Sequence, residues 1–220
     1  MIKNIDLKSW NRKTHFDFFN SYEDPFFNLT AQVDVTQLFQ AKKTTGISFF
    51  LGSLYCSLQA SNRIEAFRYR IRGDKVWMHD TIHTGCTIIF ENHTFGFCYF
   101  PFKDQLTDFC REGAQHLEKA LNAQQFEPRD DDDALTHHSV IPWVTFSQVK
   151  HPRKSLKGDS IPKIVFGKYF QQGNRMLMPV SVEAHHGLMD GYHVSEYFTQ
   201  MQEILNSEEI TEYDAAEKSG

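Results

Sequence analysis

The stretch from Met176 to His186 constrains this 220-residue chain more tightly than any other. Met176, Met178, Val180, Val182 and Ala184 alternate as apolar residues and His186 continues their phase, while Ser181, Glu183 and His185 take the other one. A period of two describes a strand with one apolar face. Gly187 and Gly191 then bracket a short turn, after which Val194, Tyr197, Phe198, Met201 and Leu205 repeat at helical spacing. Strand, turn and helix in succession put His186 at the end of a buried strand, where a rigid scaffold meets an open edge. Burial disfavours the imidazolium, so a neutral His186 able to accept a proton near pH 7 is expected there. By itself, a His-His pair at a strand end is more commonly structural than catalytic. His185 and His186 point to opposite faces and make a poor chelating pair.

The remaining periodicities mix strands and helices without regular alternation. Trp10, His15, Phe16, Phe19 and Tyr22 share helical spacing, broken by Asp24-Pro25. Phe27–Val35 alternates as a strand, Val35–Lys42 suits a short helix, and Ile47–Leu58 a core helix. RYRIRGDKVWMH reads as a hairpin turning at Gly73-Asp74. Thr81–Phe90 and Phe95–Phe102 read as strands, Leu106–Leu121 as a helix, and Ser139–Phe146 as a strand. The carboxylate run Asp130–Asp133 reads as a solvated loop. HPRKSLKGD, residues 151–159, is a basic loop, and Lys163–Phe170 and Arg175–His185 flank a Gly173-Asn174 turn. The predicted class is α+β with a mixed or antiparallel sheet, in one domain over residues 1–220 with a polar tail from about 207.

A net charge of −5 with no basic stripe argues against nucleic acid as a partner. Four cysteines, none in a Cys-x-x-Cys motif, read as buried thiols in a reducing compartment. MIKNIDLKSW has no apolar signal core and no run of 18 apolar residues follows, so a cytoplasmic protein with no membrane partner is expected. Twenty phenylalanines point to an aromatic core or an apolar pocket.

HHGLMDG at residues 185–191 resembles the active-site signature of the chloramphenicol acetyltransferases. Its His-x-x-x-Asp-Gly is shared with the catalytic domains of dihydrolipoamide acyltransferases. DLKSWNRKTHF near the N-terminus, IPWVTF at 141–146 and GKYFQQGNRMLMPVSVEAHH at 167–186 resemble the former family in the same order, so the resemblance runs from about residue 5 to 206. It implies a mixed sheet covered by helices, assembled as a homotrimer with active sites at subunit interfaces. It implies acetyl transfer from acetyl-CoA, a co-substrate, to an acceptor hydroxyl in a ternary complex, with no metal, permanent cofactor or acyl-enzyme. Under the resemblance His186 is the general base, its Nδ1 proton held by a carbonyl oxygen. Asp190 pairs with Arg12 to keep the turn in shape, and Ser139 donates to the oxyanion.

Trp143, Tyr169 and Phe50 map onto CoA contacts, and Phe19, Glu23, Phe95 and Val165 onto the acceptor pocket. There the chain departs from the family. Phe19 and Glu23 stand for a Tyr and a Leu, Val165 for a Thr that helps hold a water, and Lys163 for an Ile. VKHP at 149–152 stands for Phe-Asn-Leu-Asn. A carboxylate, a His and an ammonium thus replace an apolar wall. Chloramphenicol is the expected acceptor, with antibiotic resistance as the role. A different small-molecule acceptor, a non-catalytic ligand-binding relative and a metal-dependent hydrolase are the alternative readings.

Overall fold

The computed structural model describes residues 1–129, 131–153 and 155–213. The chain begins with β1 (Ile2–Asn4), α1 (Lys13–Phe19), β2 (Phe26–Asp34), α2 (Thr36–Thr44) and α3 (Phe49–Arg63). The hairpin of β3 (Tyr69–Arg72) and β4 (Lys75–His79) follows, then β5 (His83–Ile89), β6 (Phe95–Phe100) and α4 (Leu106–Ala123). The last part holds β7 (Leu135–Ile141), β8 (Lys163–Gly167), β9 (Phe170–Gln172), β10 (Arg175–His185), α5 (Gly191–Leu205) and α6 (Glu208–Thr211).

Seven strands form the main sheet in the order β2-β10-β8-β7-β5-β6, with β9 paired to β10. The β5–β7 and β7–β8 pairs are parallel, and the other pairs are antiparallel. This is the mixed sheet that the sequence pattern predicts. A separate three-stranded sheet, β1-β4-β3, contains the hairpin, whose turn needs the positive φ of 64° at Gly73.

One face of the sheet is covered by helices: α3 packs between α4 and α5, α5 lies on β2, and α4 on β6. Val180, Val182 and Ala184 of β10, Ile164 and Phe166 of β8, and Cys86 of β5 point into that core. The other face carries Ser139, Lys163, Ser181 and Glu183. Over its β2–β10–β8 part run residues 142–153 and 155–162, held by contacts from each of these strands. Asn28 Nδ2 donates to the Val149 carbonyl at 3.2 Å, Lys163 Nζ donates to the Pro152 carbonyl at 2.9 Å, and the Arg153 guanidinium meets Glu183 at 2.8 Å. Both faces of β10 are therefore buried, polar residues included.

Three expectations are corrected. The strand read at Ser139–Phe146 begins earlier and ends at Ile141, because Pro142 has no N–H to continue the ladder. Its core face carries polar residues with internal partners: His138 is bonded by Thr84 Oγ1 at 2.6 Å and Ser57 Oγ at 2.7 Å, and Ser57 by the Tyr197 hydroxyl at 2.7 Å. The acidic run is not simply solvated, although Asp130 lies outside the described residues. Asp133 takes two bonds of 2.7 Å from Arg72 and one of 2.9 Å from His79 Nε2, and these partners hold its carboxyl low against the opposing effect of burial. Residues 207–213 are packed, with Ile210 and Tyr213 buried, and 214–220 lie outside the described residues. Glu209 Oε1 accepts from the Tyr55 hydroxyl and from the Leu106 backbone N–H, each at 2.8 Å. It satisfies the first amide of α4, whose own N-cap residue, Gln105, makes no side-chain capping bond.

Candidate active site

The turn after β10 is fixed from three sides. The His186 backbone N–H donates to the Pro25 carbonyl at 2.8 Å, and its carbonyl accepts from Arg12 Nη2 at 3.2 Å. Arg12 Nη1 reaches Asp190 Oδ2 at 2.7 Å. Asp190 is also the N-cap of α5: its Oδ1 accepts from the Tyr192 N–H at 3.0 Å, with the His193 imidazole closing a capping box. One carboxylate thus starts a helix and anchors the guanidinium that holds the His186 carbonyl. Burial alone would raise Asp190, but the hydrogen bonds from Arg12 and His193 outweigh it and bring the carboxyl down to about 2.

The His186 ring is set by aromatic contact. It lies flat on Phe19 of α1, with centroids 4.0 Å and planes 3° apart, and tilts against Phe27 of β2 at 4.7 Å. Nδ1 is buried without a hydrogen-bond partner among the described residues, in place of the carbonyl contact expected for it. The residue is half-buried, and Nε2 is the nitrogen left reachable. His185 is the structural half of the pair. It is buried, its Nδ1 accepts from the Gly187 N–H at 3.1 Å, and burial, then Arg153, lowers it to about 4. A Cβ at Gly187 would sit 3.0 Å from the His185 ring and 3.3 Å from the Phe16 Cα, so the turn is closed to larger residues.

Ser139 lies elsewhere. It lines a cavity of about 790 Å³ that runs round the carboxyl ends of β5 and β7. Ser139 and Ser181 both pair in register with Val165, so two strand spacings separate them, and His186 lies five residues beyond Ser181. With strands about 4.8 Å apart and a rise of about 3.3 Å per residue, the Cα atoms of His186 and Ser139 are about 19 Å apart. Within one chain the two cannot meet around one acetyl group.

The other expected residues divide between these places. Phe19 lies on His186, and Glu23 is exposed between α1 and β2. Phe95, half exposed against Phe97 and Phe126, lines the Ser139 cavity. Val165 does not: it is 1% exposed, covered where the chain crosses β8 between Phe146 over Gly167 and Pro152 over Lys163. Phe50 and the exposed Trp143 also line the cavity. Tyr169 packs against Phe39 and Phe49 instead, but the Lys168 N–H donates to the Val144 carbonyl at 2.9 Å and brings it to the same corner. Sequence reasoning missed Phe27, which pins the His186 ring, and His137, which lines the cavity two residues before Ser139. The phase of β7 could have indicated His137.

The family model described as chloramphenicol acetyltransferase matches residues 1–202. The chain belongs to the chloramphenicol acetyltransferase family. It is therefore an acetyltransferase by family, as the resemblance implied. Chloramphenicol acetyltransferase 3 of Escherichia coli is 27% identical over 205 residues, covering 92% of this chain and 96% of its own length. A chloramphenicol acetyltransferase of Clostridium perfringens is 29% identical over 209 residues, covering 93% and 95%. A solved chloramphenicol acetyltransferase superposes with a TM-score of 0.84 at 30% identity, over 94% of this chain and 100% of that one. A dihydrolipoamide acetyltransferase of Azotobacter vinelandii, 14% identical with a TM-score of 0.64 over 87% of this chain and 85% of its own, shares the fold.

Proposed function

We propose that the chain moves acetyl from acetyl-CoA to a hydroxyl of chloramphenicol, at sites shared between copies of a homotrimer. The observation that carries this reading is the fixed turn: His186 is immobilised by Phe19 and Phe27 with Nε2 reachable, on backbone held by the Arg12–Asp190 pair. Nε2 takes the proton of the acceptor hydroxyl as its oxygen attacks the thioester carbonyl. The oxyanion of the tetrahedral intermediate accepts a bond from Ser139 Oγ of a second copy. Collapse breaks the carbon–sulfur bond, and the leaving CoA thiolate takes the proton back from the imidazolium. Holding both substrates in a ternary complex makes an acyl-enzyme unnecessary.

The separation of about 19 Å between His186 and Ser139 in one chain supports the sharing of sites. Exposed aromatics beside each half support it: Phe18 and Tyr22 near His186, and Trp143 and Phe95 at the Ser139 cavity. Phe50, Trp143 and Tyr169 are assigned to acetyl-CoA, Phe19, Glu23 and Phe95 to the acceptor, and Val165 to packing beneath it. Residues 1–220 act as one acetyltransferase domain. The four buried cysteines, in no disulfide among the described residues, suit the reducing cytoplasm, where the reaction would confer antibiotic resistance.

The test is release of free thiol from acetyl-CoA with and without chloramphenicol. Release that depends on the antibiotic and disappears in His186→Ala is the expected result. Antibiotic-independent release would remove chloramphenicol as acceptor, and undiminished turnover in the variant would remove His186 as base.

A further inference from the structure

The cavity that holds Ser139 changes character along its length. Toward the carboxyl end of β7 its walls are Pro142, Trp143 and Phe50. Toward the amino end the wall is His137, with Lys163 as its register partner on β8 and His151 and Pro152 from the crossing segment above. Beside them stand the aromatic rings of Phe95, Phe97 and Tyr99.

The ammonium of Lys163 is the unusual group. It donates one bond, to the Pro152 carbonyl, and makes no ion pair among the described residues. Glu183, its register partner on β10, is engaged by Arg153, which also holds Asp159 at 2.6 Å. Two other basic groups of this loop are committed: Arg153 stacks over Phe26 at 3.4 Å, and Lys150 pairs with Asp24 at 2.8 Å. Burial, and next Arg153, lower Lys163. The two imidazoles beside it are kept neutral by burial, His137 at about 4 and His151 also lowered, so each can offer an N–H without adding charge. His151 Nδ1 is buried with no partner among the described residues. A half-buried ammonium with one hydrogen bond, beside an imidazole that lines the same cavity, leaves room for an incoming anion.

Resting on the acetyl-transfer reading above, we propose that this cavity accepts an aromatic hydroxy acid, with its hydroxyl at Ser139 and its carboxylate on Lys163 and His151. The spacing fits. Lys163 and Ser139 lie on neighbouring strands two residues out of register, about 8 Å between Cα atoms, on the same face of the sheet. A benzene ring between hydroxyl and carboxylate spans that distance against the Phe95, Phe97 and Tyr99 wall. Lys163 is then a specificity residue.

The test compares 4-(hydroxymethyl)benzoate with its methyl ester, a pair alike in shape and differing in charge. Thiol release from acetyl-CoA by the wild-type protein is expected to favour the acid by about tenfold or more in kcat/KM, the scale of one charge-assisted hydrogen bond. Lys163→Met brings the ratio toward one, and Lys163→Arg keeps most of it. Equilibrium dialysis of radiolabelled acid, without acetyl-CoA, is expected to show binding to the wild type that Lys163→Met loses. Absence of binding, preference for the ester by the wild type, or a ratio that Lys163→Met leaves unchanged would each overturn the proposal; the wild-type comparison needs no variant to fold. Chloramphenicol is assayed in the same preparation. Antibiotic turnover without binding of the acid sinks this inference alone. Binding of the acid without thiol release from any acceptor sinks the acetyl-transfer reading and leaves the anion site standing.

Discussion

His186 and Ser139 stand on the same sheet, and the chain treats them in opposite ways. Around His186 the contacts are internal: two rings pin the imidazole, Pro25 holds its N–H, and Arg12 holds its carbonyl while bound to Asp190. Ser139 makes no side-chain hydrogen bond among the described residues and faces a cavity whose outer walls, Phe95 and Trp143, are 50% and 60% exposed. The first half is finished before anything binds. The second is an open container, whose walls substrate or another copy would complete under the proposed reading. A proton acceptor must be held at a fixed angle to its donor, whereas an oxyanion donor has only to meet an oxygen that its substrate delivers.

The largest effect is expected at the finished half. His186→Ala should lower kcat by about 10²–10⁴-fold, the usual contribution of a positioned base, with an unchanged circular dichroism spectrum. Ser139→Ala should lose about 10²-fold, read as a fall in kcat rather than a rise in KM. Mixing the two variants, unfolding them and refolding them together tests the separation directly. If each site takes one residue from each of two copies, about one quarter of wild-type activity returns, because random pairing makes one intact site in four. Failure to recover any would mean that the halves work within one chain.

Smaller effects concern the stiffness of the His186 half. Asp190→Asn leaves a guanidinium 11% exposed without its carboxylate, and should cost about 3 kcal/mol in urea unfolding and about tenfold in kcat. A variant as stable as the wild type would show that the turn does not depend on this pair. The mildest test is acidification. Because the folded Asp190 carboxyl is held at about 2, below its ordinary value, its stabilisation is complete above about pH 4 and is lost as pH falls toward 2. The melting temperature of the wild type should therefore fall more steeply than that of Asp190→Asn across that interval, and parallel curves would count against it.

The same contrast explains what could be read from the sequence. The His186 half is local, since β10, the turn and the cap of α5 lie within residues 175–193, and alternation followed by helical spacing reveals them. Its partners Arg12, Phe19, Pro25 and Phe27 come from far away, and family resemblance supplied Arg12 and Phe19 alone. The Ser139 half depends on pairing between distant strands. The parallel neighbours β5, β7 and β8 leave no local signature, and β7 was misplaced because Thr136 and His138 point into the core. A polar residue facing inward reads as surface until its partners Thr84 and Ser57 are seen. Val165 shows the converse: alignment names a position but not what lies on top of it.

The bond from the Leu106 N–H to Glu209 spans 103 residues of sequence. A helix near the middle of the chain thus borrows the partner of its first turn from a residue synthesised long after it. During translation that seam stays open until Glu209 emerges: a product cut short at residue 207 lacks the stitch that closes α4 against α3, however complete its sheet.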